Sequence, residues 1–236
     1  MRASTYQEDP AYNAYYRQQE ELVAQLITED QFETPLEFIG GVDVAYDEST
    51  NRMIGAMVVL HAETLAIVEE AYHEMEITFP YVPGLFSFRE VPSLTAAFQK
   101  LSTKPQLIIC DGHGIAHPKK MGLASHLGIS LDLPTIGCGK RSLITPWDKA
   151  GLAMERAASV PLSWEGENRG VALRTQPAIK PVFVSIGHRV SLETAIAWTL
   201  KMSPKYRLPE TTRAADQLVN ALRRSLLRGA SFEEEE

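Results

Sequence analysis

The sequence predicts an α/β protein: a mixed sheet, three antiparallel strands followed by parallel ones, flanked by helices. Phe38 to Tyr46, Met53 to His61 and Leu65 to Ile77 are consecutive runs of strand character, joined by links too short for a crossover, so they pair as an antiparallel meander. The later runs Gln106 to Cys110, Thr135 to Cys138 and Val182 to Ile186 are short and apolar, as strands buried on both faces are. Helical patterns over about Glu90 to Leu101, Met121 to Ile129, Ser191 to Lys201 and Glu210 to Leu227 alternate with these strands, which favours parallel pairing.

The remaining elements follow in chain order. Residues 11–30 place Tyr12, Tyr15, Tyr16, Gln19, Leu22, Val23, Leu26 and Ile27 at 3.6-residue spacing, an amphipathic helix that packs on whatever follows. Phe79 to Ser87 is rich in proline and glycine and reads as a rigid loop. Pro92 is compatible with the next helix only in its first turn. Residues 142–180 carry the least pattern; Val160 to Trp164 and Gly170 to Thr175 flank Glu165 to Arg169 as a surface hairpin. The Glu233 to Glu236 tail is expected to be disordered, leaving residues 1–232 as one domain.

Composition narrows the class. With 236 residues, 44% hydrophobic and 22% charged, the chain excludes disordered, collagen-like and coiled-coil classes. No run approaches the roughly 18 apolar residues of a membrane span, and Met1 to Pro10 lacks an apolar leader, so the expected setting is cytoplasmic with no membrane partner. Cys110 and Cys138 are too few for a disulfide scaffold, and both sit in apolar runs. The net charge of −7 conceals an asymmetry: residues 1–76 hold 3 basic and 16 acidic side chains, residues 77–232 hold 20 basic and 10 acidic. A polyanionic partner therefore stays open.

Four acids can carry chemistry. Asp43 lies inside the apolar strand Ile39 to Ala45, where a carboxylate is costly unless something positive meets it. Asp111 ends Leu107 to Cys110, at the strand end where open α/β sheets build their sites. On neighbouring strands, two carboxylates ~4 Å apart would repel by roughly 4 kcal/mol at an effective dielectric near 20. A divalent cation relieves this, and oxygen-only ligands favour Mg²⁺ or Mn²⁺ over zinc. Glu90, at a helix start, and Asp216, near Arg213, are placed to join; a helix-dipole role and an i,i+3 ion pair are the alternatives.

Phe79 to Leu85 holds Tyr81 between Pro80 and Pro83, suited to a wedge in a base stack, or to a turn aromatic folded onto the core; Gly84 would let a flat ligand approach the backbone. His113 and His117 are four residues apart, but Gly112, Gly114 and Pro118 make that segment a loop, so a helical zinc pair has little support. Lys119, Lys120, Lys140 and Arg141 fit a passing phosphate chain or a solvated surface. Dinucleotide-binding, phosphate-loop and serine-elbow glycine motifs are absent.

These residues fall into motifs of a known family. Gly41-Val42-Asp43-Val44, Pro80-Tyr81-Val82-Pro83-Gly84 running into Ser87-Phe88-Arg89-Glu90, Asp111-Gly112-His113-Gly114 with His117-Pro118, Gly122 to His126, Gly187-His188-Arg189, and Tyr206 to Arg213 occur in order. From about residue 15 to 226 the sequence resembles endonuclease V, the deoxyinosine 3′ endonuclease. The resemblance implies an RNase H-like fold and Mg²⁺-dependent nicking, with Mn²⁺ as a substitute, at the second phosphodiester 3′ to a deaminated base in DNA. It implies that Asp43, Glu90 and Asp111 hold the metal, that Asp216 is a fourth acid at a position that varies in the family, and that Lys140 lies near the scissile phosphate. Tyr81, flanked by Pro80 and Pro83, would be the wedge; Gly84, Leu85, Gly112, His117, Gly122 and Gly137 would line the hypoxanthine pocket. Deoxyinosine DNA is the expected partner of a monomeric enzyme. Inosine-containing RNA as substrate, and a non-catalytic reader of damaged nucleic acid, are the alternatives.

Overall fold

The computed structural model describes residues 8–233. The opening residues 1–7, where the leader was judged absent, and residues 234–236 of the acidic tail lie outside the described residues. In chain order the elements are α1 (Asn13–Val23), β1 (Phe38–Asp47), β2 (Arg52–His61), β3 (Ile67–Glu76), α2 (Phe86–Lys100), β4 (Leu107–Cys110), α3 (Leu123–Leu131), β5 (Thr135–Gly139), β6 (Ser159–Trp164), β7 (Glu167–Leu173), β8 (Val182–His188), α4 (Leu192–Lys201) and α5 (Glu210–Glu233). One eight-stranded sheet has the order β3-β2-β1-β4-β5-β8-β7-β6. β1, β2 and β3 form the predicted antiparallel meander, and β1-β4 and β4-β5 are parallel.

Five expectations need correction. β8 runs antiparallel to β5, because the chain reaches it through the β6-β7 hairpin and not through a helical crossover. That hairpin is the edge of the main sheet, since β7 pairs with β8. α1 ends at Val23: beyond it the chain turns to the β8-α4 corner, where the Arg189 amide donates to the Ile27 carbonyl and the Ser191 amide to Asp30. α2 starts at Phe86, so Pro92 and Glu90 lie inside the helix. The extra turn is secured by Phe88, which packs on Phe79 and His126. α5 also runs past Leu227 to Glu233, so the first residue of the acidic tail is helical.

The sheet is buried on both faces, and alternation along β4 shows how. Ile108 and Cys110 pack with Val91 and Leu94 of α2 and with Leu123 and Leu127 of α3. Leu107 and Ile109 pack into the opposite cluster, with Ala195 of α4 and Ala215 of α5. α5 crosses β1 closely: a Cβ built on Gly41 would stand 2.2 Å from the Thr211 carbonyl oxygen, so only glycine lets the first turn of α5 rest there. Gly41→Ala is therefore expected to destabilise the fold by about 1–3 kcal/mol through overpacking, read as a lower denaturation midpoint in urea. An unchanged midpoint would contradict this packing.

Candidate active site

The parallel register aligns Val42 of β1 with Cys110 of β4, so Asp43 and Asp111, one residue further along, follow side by side. Asp216 enters from α5, and its charge is felt at Asp43. Glu90 reaches the same place from α2 and feels both Asp43 and Asp111. The anticipated Asp216–Arg213 pair is replaced by another: Arg213 Nε contacts Glu210 at 3.3 Å, and its guanidinium lies 3.6 Å over the Tyr206 ring.

Burial, then the Asp111 charge, pushes the Asp43 carboxyl up to about 7. Burial pushes Glu90 up to about 8, although the Tyr46 hydroxyl donates to its Oε1 at 2.8 Å and opposes the rise. Asp43 Oδ1 accepts the Val44 amide at 2.9 Å, and the Lys140 ammonium contacts Asp111 Oδ2. Burial lowers the Lys140 pKa, yet Asp111 outweighs it and the net shift is upward. Among the described residues, no three His, Cys, Asp or Glu side chains are already drawn into one metal-holding group. The donor set nevertheless fits a hard divalent cation. It offers oxygens only, at carboxyls whose burial and mutual repulsion a cation would relieve, while the Cys138 thiol is buried and pushed up to about 12.

Glu90 and Asp111 open onto a cleft of about 740 Å³ lined by Tyr81, Pro83, Gly84, Gly112, His117, Gly122, Lys140 and others. Tyr81 is 67% exposed at the rim. Three residues implied for substrate binding, Leu85 and Gly137 in the pocket and Pro80 beside the wedge, do not line this cleft. Leu85 is fully buried with Tyr16, Phe79 and Val82; Pro80 borders a separate hollow with Glu48 and Arg89; Gly137 lies behind the lining, where a Cβ would stand 2.3 Å from the Gly114 nitrogen. Lys119 and Lys120 pair with Glu8 and Glu167, at 2.6 Å and 2.7 Å.

The cleft histidines are neutral. Burial takes His117 down to about 3 and also lowers His113. His117 Nδ1 accepts the Lys119 amide at 3.2 Å, which leaves the proton on Nε2. His113 Nε2 donates to the Arg141 carbonyl at 2.8 Å, so the two rings serve separate partners and form no zinc pair.

Arg207 was not singled out from the sequence. Its Nη2 donates to the carbonyls of Lys140 at 2.7 Å and Pro181 at 2.8 Å, and its Nε to Lys180 at 3.0 Å, which fixes the backbone that carries Lys140. Its place in the Tyr206 to Arg213 motif was the available signal. Tyr46, three residues beyond Asp43 and next to last in β1, was missed because a strand tyrosine has an ordinary packing role.

Acids gathered at a sheet end beside a lysine, in a groove open along one side, describe a nuclease, a phosphodiester hydrolase built on a mixed sheet. The sequence model of the family described as Endonuclease V matches residues 20–217. The chain is 46% identical to Endonuclease V of Nostoc punctiforme over 203 residues, which is 86% of this chain and 91% of that protein. The crystal structure of Endonuclease V from Streptomyces avermitilis matches with a TM-score of 0.86 and 43% identity, covering 96% of this chain and 97% of that one. Ciona intestinalis Endonuclease V, in complex with a 24mer DNA containing an inosine followed by a ribo-adenosine, matches with a TM-score of 0.82 and 27% identity over 92% and 100% of the two chains. The chain belongs to the endonuclease V family, and its sheet is of the RNase H-like α/β kind.

The raised acids imply a measurable strain. Asp43 binds its proton more tightly in the folded than in the unfolded chain, so the stability it contributes is present below the usual carboxylate range and is lost as pH rises through about 7. Asp43→Asn removes that loss. In chelator, the substitution should stabilise the protein at pH 8.5 by something on the order of 1–3 kcal/mol, and by less at pH 5. Thermal unfolding at the two pH values checks this; a variant less stable than the parent at pH 8.5 would overturn it.

Proposed function

We propose that this protein is a Mg²⁺-dependent endonuclease that finds deoxyinosine in DNA and nicks the second phosphodiester on its 3′ side, leaving 3′-hydroxyl and 5′-phosphate ends. The observation that carries this reading is the convergence of Asp43, Glu90 and Asp111 at one end of the cleft that Tyr81 borders. Asp43, Glu90 and Asp111 would hold the cation, with Asp216 behind them. When bound, it supplies Lewis-acid stabilisation of the charge that builds on the phosphate, and Mn²⁺ meets the same donor preferences.

The chain's own side chains do the rest. Lys140, held by Arg207 through its backbone, offsets charge at the scissile phosphate. Tyr81 fills the gap left by an extruded base, and an inosine, paired weakly, is extruded at lower cost. In the pocket, the His117 Nε2–H is a donor aimed at an acceptor. Hypoxanthine offers its O6; adenine presents an amino group there and meets donor against donor. Gly122 lets the wall of the pocket rest directly on the His113 backbone carbonyl, where any side chain would clash.

A second reading has one observation in its favour. The Ciona relative is bound to an inosine followed by a ribo-adenosine. Inosine-containing RNA is thus the alternative substrate, and matched DNA and RNA oligonucleotides separate the two by rate.

Asp43→Ala and Asp111→Ala should each slow nicking of deoxyinosine duplexes in Mg²⁺ by about 10³-fold, the equivalent of several kcal/mol of transition-state stabilisation. A nicking gel reads the result, and either variant at parental rate would remove the assignment. Because protons compete for carboxyls lying at about 7 and about 8, cation affinity should fall as pH drops through that window. The half-saturating Mg²⁺ concentration is expected to be roughly tenfold or more higher at pH 6 than at pH 8.5. Equal values at both would contradict these acids as ligands.

A further inference from the structure

The loop that carries Tyr81 has two sides. Pro80, Tyr81 and Pro83 are exposed, while Phe79, Val82 and Leu85 turn inward and pack with Tyr16 of α1, with Tyr12 and Phe88 closing the cluster. Tyr15 stands edge-on to Phe79 at 4.7 Å and to Phe88 at 5.3 Å between ring centroids. Tyr16 and Gln19 are the buried residues of α1, and both face this loop.

Gln19 is 1% exposed, and its Nε2 donates to the Gly84 carbonyl at 2.7 Å, across 65 positions of sequence. Gly84 sits at φ +84°, a region glycine enters without steric cost but does not prefer over others. The backbone at the end of the wedge loop is therefore not fixed by its own sterics. A buried amide donor selects one orientation of that peptide, and losing the donor would leave a carbonyl without its partner. The family's sequence model begins at residue 20, so Tyr12, Tyr15, Tyr16 and Gln19 all precede the matched segment.

We propose that α1 is the mount of the wedge loop and that Gln19 is its positioning residue, holding the Gly84 peptide so that Tyr81 stands fixed at the mouth of the cleft. This rests on the reading of Tyr81 as the residue that fills the gap of an extruded base. In a duplex the gap is real, and flanking bases press on whatever occupies it; a loop that yields lets the stack close again. In a single strand there is no paired stack to hold open. Loss of the mount is thus a defect on duplexes alone, whereas loss of folding or of the acid site affects every substrate.

The test uses the full chain and two deoxyinosine substrates, one duplex and one single-stranded, under single-turnover conditions. Gln19→Met keeps the length of the side chain and removes the donor. It should cut the duplex about tenfold more slowly and the single strand within about twofold of the parental rate. Tyr15→Ala, which trims the exposed edge of the same cluster, should show the same preference and covers the case in which Gln19→Met does not fold. In a Tyr81→Ala background, Gln19→Met should add no further loss, because the two residues serve one act. Equal loss on both substrates, or an additive loss in the double variant, overturns the proposal. Parental protein that nicks neither substrate removes the functional reading itself, a result distinct from both.

Discussion

The structure depends on one unfavourable interaction: carboxylates forced together at the end of two parallel strands. Register leaves no choice, since Val42 beside Cys110 places Asp43 beside Asp111, and the close crossing of α5 at Gly41 brings Asp216 over them. Without a cation, the protein lessens the repulsion with what it has. Lys140 is drawn onto Asp111, Tyr46 donates to Glu90, and the Val44 amide donates to Asp43. A site whose acids each lean on a local partner must give up those contacts when a stronger charge arrives. Raised carboxyl pKa values are the signature of such a site, because the cost of ionisation is carried by the fold.

Sequence patterning predicted the meander and parallel pairing beyond it, and singled out Asp43 and Asp111, because each rests on local physics: alternation, apolar runs, a carboxylate inside an apolar strand and another at a strand end. What it missed depends on partners distant in the chain. The apolar run of β8 is equally good for either strand direction, and only the intervening hairpin decides. The helical spacing of Leu26 and Ile27 is real, yet the β8-α4 corner claims that segment through Ile27 and Asp30. Leu85 reads as a pocket wall by its place in the motif, but its side chain faces α1. Arg207 gives no local sign of its role, since a guanidinium gathering three carbonyls is defined only by the folded backbone.

The charge asymmetry of the chain has a comparable resolution. The acidic first third builds the meander and α1, whereas Lys140 and Arg141 at the cleft come from the basic remainder. Not every lysine near the cleft in sequence is free for a phosphate chain. Lys119 and Lys120 are engaged by Glu8 and Glu167, whereas Lys140 and Arg141, both in the segment following β5, line the cleft and Lys140 contacts Asp111. That segment is restrained at two successive carbonyls, by Arg207 at Lys140 and by His113 at Arg141.

Recognition and cutting thereby fall to parts held in different ways. Asp43 and Asp111 sit on or just past strands, Glu90 and Asp216 on helices packed against the sheet, and Lys140 on a doubly restrained segment, where small displacements are resisted by close packing. The wedge rides on a loop anchored inward by a largely aromatic cluster and one buried amide. In the proposed reaction both must hold still: phosphate chemistry needs fixed charges at fixed distances, and base extrusion needs a wedge that does not yield to the flanking bases. Discrimination then arises before the chemistry: a strongly paired base resists the opening, and an adenine that does leave the stack meets the His117 donor with the wrong group. Neutrality of that imidazole is essential to the second step. Burial secures it by taking His117 down to about 3, so that near neutral pH no second proton places a donor on both ring nitrogens and breaks its contact with the Lys119 amide.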